Sequence, residues 1–372
     1  MSDLRKLTTA LGEPGTWTFA YVDGPGPDPQ VEEEAKQDAV HRRLSDSGAT
    51  DAAVDAVMSC VTRATGMPAP SARYIAARDG DVVVDAAFPE PRVGPEEIGT
   101  AALPPLLPML RHGAETAGYL VVEAARDGAH LTWGRADRQP EALDDVEGDA
   151  DALSKVRGAG LAHSRYQRSA EENWKANQSE VAEAVDRVVR ERQPAFVVIA
   201  GDVRARQLLQ EQLAPASREI AVEVDAHTAA DGTDDAALDR AVTEAIADRI
   251  EGRAAAARDR AAAADGERGA RGTEEVMAAL QQAQVETLLL DVRLWESDHT
   301  LDALETQPWV GDGRNLDVGV VDRVSAPEAL ARAALLTDAR VIVEEDEPAG
   351  EDEPRRLGEP DQPLAALRWS AG

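Results

Sequence analysis

The chain has 372 residues and a formal net charge of −31, with 70 Asp and Glu against 39 Lys and Arg. Such acidity argues against broad contact with nucleic acid and excludes a DNA-binding role, while the length calls for two or three domains. No apolar run of about 18 residues exists, no secretory leader opens the chain, and the lone Cys60 excludes an internal disulfide, so a cytoplasmic protein away from membranes is expected.

The first segment, residues 1–113, opens with an alternating run, Trp17 to Val22, which predicts a strand ending at the turn Asp23-Gly24-Pro25. Helices are expected over Val31–Ser45 and Asp51–Ala64, the latter with Val54, Val57, Met58 and Val61 on one stripe. Arg73–Ala77 and Asp81–Asp85 flank Asp79-Gly80, the pattern of a hairpin. Proline-rich Pro89–Pro108 leads out of this domain.

The second segment, residues 114–268, begins with strands Tyr119–Glu123 and His130–Trp133 around Asp127-Gly128. A helix from about Arg168 to Arg192 carries the stripe Val181, Ala184, Val185, Val188, Val189 and stops before Pro194. Phe196–Ala200 is a continuous apolar run, the signature of a strand buried on both faces. Helix Val203–Leu213, strand Ile220–Val224 and an alanine-rich helix Ala236–Ala264 follow. The third segment, residues 269–372, continues with a helix from Thr273, strand Val285–Asp291, strand Asp317–Val321, helix Pro327–Leu336 and strand Arg340–Val343. The acidic, Pro- and Gly-rich stretch 344–363 reads as a solvated loop or tail. The alternation places the protein in the α/β class, as three α/β domains.

Against the acidic background one island stands out. Between Ser154 and Ser169, Lys155, Arg157, Arg165 and Arg168 surround Gly158-Ala159-Gly160 with no acid among them. Gly158 and Gly160 permit positive φ and close approach to a sugar-phosphate backbone, the four cations supply phosphate donors, and Tyr166 offers a face for a base. The plainer alternative is that Arg165 and Arg168 pair with Glu171 and Glu172 along the helix. Lysine is otherwise nearly absent, with Lys6, Lys36 and Lys175 completing the set. Two readings of this bias stand side by side: a salt-rich cytoplasm, where the Debye length falls to about 3 Å at 1 M, and a genome favouring arginine codons, which explains Arg over Lys but not the size of the acid excess. The scattered histidines lack the spacing of a zinc site, and neither a metal nor a cofactor is expected.

The order of these parts resembles the archaeal and eukaryotic peptide-chain release factor family. The likeness rests on the Tyr119 strand pair, the basic glycine loop, Arg165-Tyr166-Gln167-Arg168 at the helix mouth, the Phe196–Gly201 strand, and Thr273-Glu274-Glu275-Val276 through Val285-Glu286-Thr287-Leu288-Leu289. Within the family it is similar to the bacterial, actinobacterial-type (Balon-like) ribosome hibernation branch. The resemblance implies that the second and third segments are release-factor domains 2 and 3.

In release factors the central loop ends in Gly-Gly-Gln, followed by Ser-x-x-Arg-Phe-x-Arg, and the glutamine orients the water that hydrolyses peptidyl-tRNA. Aligning Arg165-Tyr166-Gln167-Arg168 on that motif puts Ala159-Gly160-Leu161 at Gly-Gly-Gln. Leu161 can neither donate nor accept a hydrogen bond, so no catalytic residue is expected here. The resemblance implies a non-catalytic factor in the ribosomal A site, its loop toward the peptidyl transferase centre. Lys155, Arg157, Gly158, Gly160, Leu161, His163, Arg165, Tyr166 and Arg168 are then the RNA-binding residues. The expected partners are the ribosome, through rRNA and tRNA, and a translational GTPase such as elongation factor Tu. The alternative the family offers is a peptidyl-tRNA hydrolase or tRNA-cleaving rescue enzyme, with His163 or Gln167 in the missing role.

Overall fold

A computed structural model describes residues 3–24, 30–67, 69–88, 90–113, 118–135, 138–143, 145–147, 163–224, 235–262, 268–313, 317–344 and 362–369. The protein is α/β and divides into two compact units, Met1–Ala114 with Ile250–Gly372, and Glu115–Arg249.

In the first unit, α1 (Asp3–Leu11) precedes β1 (Trp17–Asp23), α2 (Gln30–Asp46) and α3 (Asp51–Val61). Thr50 caps α3 by accepting from Ala53 N, which satisfies one of the amides a helix start leaves open. Strands β2 (Ala72–Arg78), β3 (Asp81–Phe88) and β4 (Glu97–Ala101) complete an antiparallel sheet in the order β3-β2-β1-β4, and α4 (Leu107–Gly113) closes the segment. The hairpin and both helices match the sequence pattern. Helix α1, strand β4 and helix α4 were not expected. The Pro-rich exit stretch contains β4 and the start of α4; Pro108 is the second residue of that helix, where a missing N–H costs no helical hydrogen bond.

The second unit holds β5 (Tyr119–Ala125), β6 (Gly128–Arg135), β7 (Arg138–Ala142), β8 (Val146–Glu147), α5 (His163–Arg192), β9 (Phe196–Gly201), α6 (Val203–Gln212), α7 (Pro215–Glu219) and β10 (Ala221–Glu223). Its sheet runs β10-β9-β5-β6-β7, with β8 also on β6. Strands β9 and β5 are parallel and β9 is buried along its whole length, as its unbroken apolar run requires. Helix α8 (Asp235–Ala262) contributes Val242 and Ala245 to this unit's core and Ala254 and Ala257 to the other. Its alanines pack rather than merely favour the helix.

The remainder of the first unit comprises β11 (Gly269–Arg271), α9 (Gly272–Gln281), β12 (Val285–Asp291), a short 3-10 turn (Val292–Glu296), β13 (Thr300–Leu304), β14 (Val310–Gly311), β15 (Val320–Ser325), α10 (Ala326–Leu336), β16 (Arg340–Glu344) and β17 (Leu364–Leu367). One sheet runs β11-β17-β12-β16 and a small antiparallel sheet runs β14-β13-β15. The strand expected at Asp317–Val321 lies later, at Val320–Ser325, where its backbone pairs with β13. Strands β13 and β17 were not anticipated. Leu7, Trp17, Tyr74 and Phe88 share one continuous core with Leu280, Leu288, Leu330 and Ala333, so the first and third segments bury their apolar faces together.

Candidate nucleic-acid interface

The chain leaves the second unit's sheet at β8 and returns as α5, so the basic island is carried between a strand on β6 and the start of a 30-residue helix. Three contacts seat that helix on the turn joining β5 to β6. Gln178 Nε2 donates to Ala125 O at 2.8 Å and Asn177 Nδ2 to Arg126 O at 3.2 Å. Arg126 lies over the Trp174 ring, 4.9 Å from its centroid, and donates to Asp202 Oδ2 at 3.1 Å. Asp202 is also the cap of α6, accepting from Arg204 N and Ala205 N. Burial opposes its charge, but the Ala205 amide and the Arg126 guanidinium prevail and hold its carboxyl below the ordinary value.

The middle of α5 is locked by the apolar stripe Val181, Ala182, Ala184 and Val185, all buried against β5, β6 and β9. Further along, Asp186 accepts from Ser217 Oγ at 2.5 Å and from Ala214 N, fixing the start of α7. At the far end Arg192 lies over Trp133, 5.3 Å from the ring centroid, and forks onto Glu141 at 2.9 and 3.2 Å. That hydrogen bond is the main cause lowering the Glu141 carboxyl and raising the Arg192 guanidinium. Because residues 177–178 bond the turn and Arg192 stacks at the opposite end of β6, α5 runs along the sheet. Its first three turns, about 16 Å at 1.5 Å per residue, precede these seating contacts.

The start of α5 has no acidic residue in its first turn, whereas a helix N-terminus ordinarily favours one. Arg165 and Arg168 are carried on its first two turns.

Of the sequence-derived site residues, Lys155, Arg157, Gly158, Gly160 and Leu161 lie outside the described residues. His163, Arg165, Tyr166 and Arg168 are brought together on the first two turns of α5, with their side chains outside the description. This corrects the helix boundary, which lies at His163 rather than near Arg168. The seating residues Trp174, Asn177, Gln178 and Arg126 were missed by sequence reasoning. The two buried amides, Asn177 and Gln178, are polar interruptions beside the apolar stripe and were the available signal. Among the described residues, no three His, Cys, Asp or Glu side chains converge as a metal site, and no helix is long and apolar enough to cross a membrane.

Residues 118–267 match the family model of bacterial archaeo-eukaryotic release factors, family 2. The central segment is release-factor-like. The match begins one residue before β5 and ends beyond α8, so it contains the island, its helix and the whole sheet that seats it. No curated protein matches the chain. Among solved structures, the chain is similar to Archaeoglobus fulgidus Pelota, at 17% identity over 81% of this chain and 80% of that one, with a TM-score of 0.34. It is similar also to S. cerevisiae Dom34, a translation termination-like factor interacting with Hbs1, at 12% identity over 81% and 80% of the two chains and a TM-score of 0.43. A third likeness is to the archaeal translation termination factor aRF1, at 16% identity over 99% of both chains and a TM-score of 0.25. All three are distant in sequence and in superposition.

Proposed function

We propose that this protein is a ribosome-binding translation factor that docks its central loop without cutting. The observation that carries the proposal is the acid-free basic island running into the start of α5, inside the segment that matches the release-factor family. In a chain of net charge −31, four cations and two glycines within fifteen residues of sequence, with no acid among them, are suited to a phosphate backbone. Leu161 in the place of the catalytic amide removes the group that would orient a hydrolytic water. The factor then occupies the A site with the loop toward the peptidyl transferase centre, shielding idle or stalled ribosomes, and is delivered by a translational GTPase such as elongation factor Tu.

Co-sedimentation with purified ribosomes across a salt series tests the docking. Replacing Lys155, Arg157, Arg165 and Arg168 together by Gln is expected to weaken binding and to flatten the slope of log affinity against log salt by about 3, since each phosphate contact contributes roughly 0.7–0.9. An unchanged slope would remove the island from the interface. The same ribosomes, loaded with peptidyl-tRNA, test the chemistry: the ester is expected to survive saturating protein. Release that disappears in His163→Ala or Gln167→Ala would instead establish a hydrolase.

A further inference from the structure

Beside the turn that joins β13 to β14, a buried guanidinium meets an indole, and each keeps a donor in reserve. Arg332, on α10, is 2% exposed. Its Nη1 donates to Leu304 O at 3.0 Å and to Trp309 O at 3.3 Å, and its Nη2 to Leu11 O at 3.0 Å, so the turn and the end of α1 are both fastened to α10. The Trp309 ring lies against the same guanidinium, its centroid 5.6 Å from Cζ. The Trp309 backbone holds φ at +72°, a conformation that bulky residues rarely adopt.

Two N–H groups of this contact have no acceptor among the described residues. Arg332 Nε and Trp309 Nε1 are both sealed from solvent and donate to nothing. Buried donors are nearly always paired, and a buried charge calls for a counter-charge. Among the described residues no carboxylate supplies it: burial alone acts on the Arg332 guanidinium. Leu11, Leu301, Val310 and Leu330, all apolar and buried, belong to the same core. The chemistry of the two donors then selects their ligand. Indole and guanidinium N–H groups donate and cannot accept. A water would bring hydrogens of its own that need acceptors, and the carbonyls of this turn are already engaged, Trp309 O by Leu304 N as well as by Arg332. An anion without hydrogens needs donors alone, and it neutralises the buried cation.

We infer that Arg332 Nε and Trp309 Nε1 hold a small monovalent anion of the halide class, a structural ligand of the junction between the first and third segments. Seclusion in the core restricts it to an ion of that size, since a phosphate or a partner's carboxylate cannot follow two atoms that solvent does not touch. The anion acts where Leu11 of the first segment meets Trp309 and Arg332 of the third, and it is independent of the basic island and of any ribosome contact.

The test is thermal unfolding of the full-length chain in sodium chloride and in sodium gluconate at equal ionic strength, which holds the general screening of the −31 charge constant. A halide bound by the native state alone raises the midpoint once its concentration passes its Kd. Wild type is expected to unfold several degrees higher in chloride. Trp309→Phe keeps a ring face against Arg332 and removes the indole N–H, and its chloride-specific rise is expected to shrink severalfold. Equal wild-type midpoints in the two salts, or a Trp309→Phe variant that keeps the full rise, overturns the anion. Wild-type crystals soaked in sodium bromide read the occupant without relying on any variant's folding. An anomalous peak is expected within contact of both nitrogens, whereas density there without anomalous signal, a water, overturns the inference.

Discussion

Arg332 shows how one side chain joins distant stretches of sequence. It is 2% exposed, and its guanidinium donates to Leu304 O at 3.0 Å, Trp309 O at 3.3 Å and Leu11 O at 3.0 Å. The carbonyl ends of α1 and β13 are thereby satisfied by a residue of α10, and the charge rests on carbonyl dipoles and the Trp309 face rather than on a carboxylate. Burial accordingly lowers its pKa to about 10, leaving it charged at neutral pH. Arg332→Leu is expected to cost about 3 kcal/mol in denaturant unfolding, because buried carbonyls lose their donors. Arg332→Lys should recover only part of that loss, since a single nitrogen cannot stand in for both Nη1, on Leu304 O and Trp309 O, and Nη2, on Leu11 O. Gly201 is constrained for a different reason. Its φ is +104°, and a Cβ there would stand 2.2 Å from Ala124 O across the β5–β9 pair. Gly201→Ala is expected to destabilise the second unit by about 2 kcal/mol or more, measured by thermal unfolding, because the obstacle is backbone and cannot move aside.

Among the elements, α5 couples fold to site. The apolar spacing Val181, Ala184, Val185 made the helix legible, and Pro194 marked its end. Its beginning was not legible, because no acid stands in its first turn and Arg165 and Arg168 break the rule that acids open helices. Strand β17 was hidden for the opposite reason: Leu364-Ala365-Ala366-Leu367 lacks β-branched and aromatic residues, and only its place between β11 and β12 makes it a strand. The shared core of the first and third segments was likewise invisible, since periodicity shows which face is apolar and not what covers it. Trp174→Ala together with Gln178→Ala removes the seat on the β5–β6 turn. Exchange across the first turns of α5 is expected to rise severalfold while the stripe around Val185 stays protected, and ribosome affinity should fall even though every cation of the island is kept.

For the molecule as a whole, the −31 charge is the governing quantity. Self-repulsion among surface carboxylates opposes the compact state and is screened as the Debye length contracts from about 10 Å at 0.1 M salt to about 3 Å at 1 M. The unfolding midpoint is therefore expected to rise across that range, whereas ribosome binding through the island is expected to weaken; a midpoint that falls with salt would count against this account. Opposed salt responses of stability and binding would separate the bulk acidity from the local basic site in a single titration. Strand β17 has a consequence for synthesis. It occupies an interior place in the β11-β17-β12-β16 sheet, yet it emerges from the ribosome after both of its neighbours. The second unit, contiguous from Glu115 to Arg249, can complete its core while translation continues; the first must wait, with β11 and β12 made but unjoined, until residues 364–367 arrive.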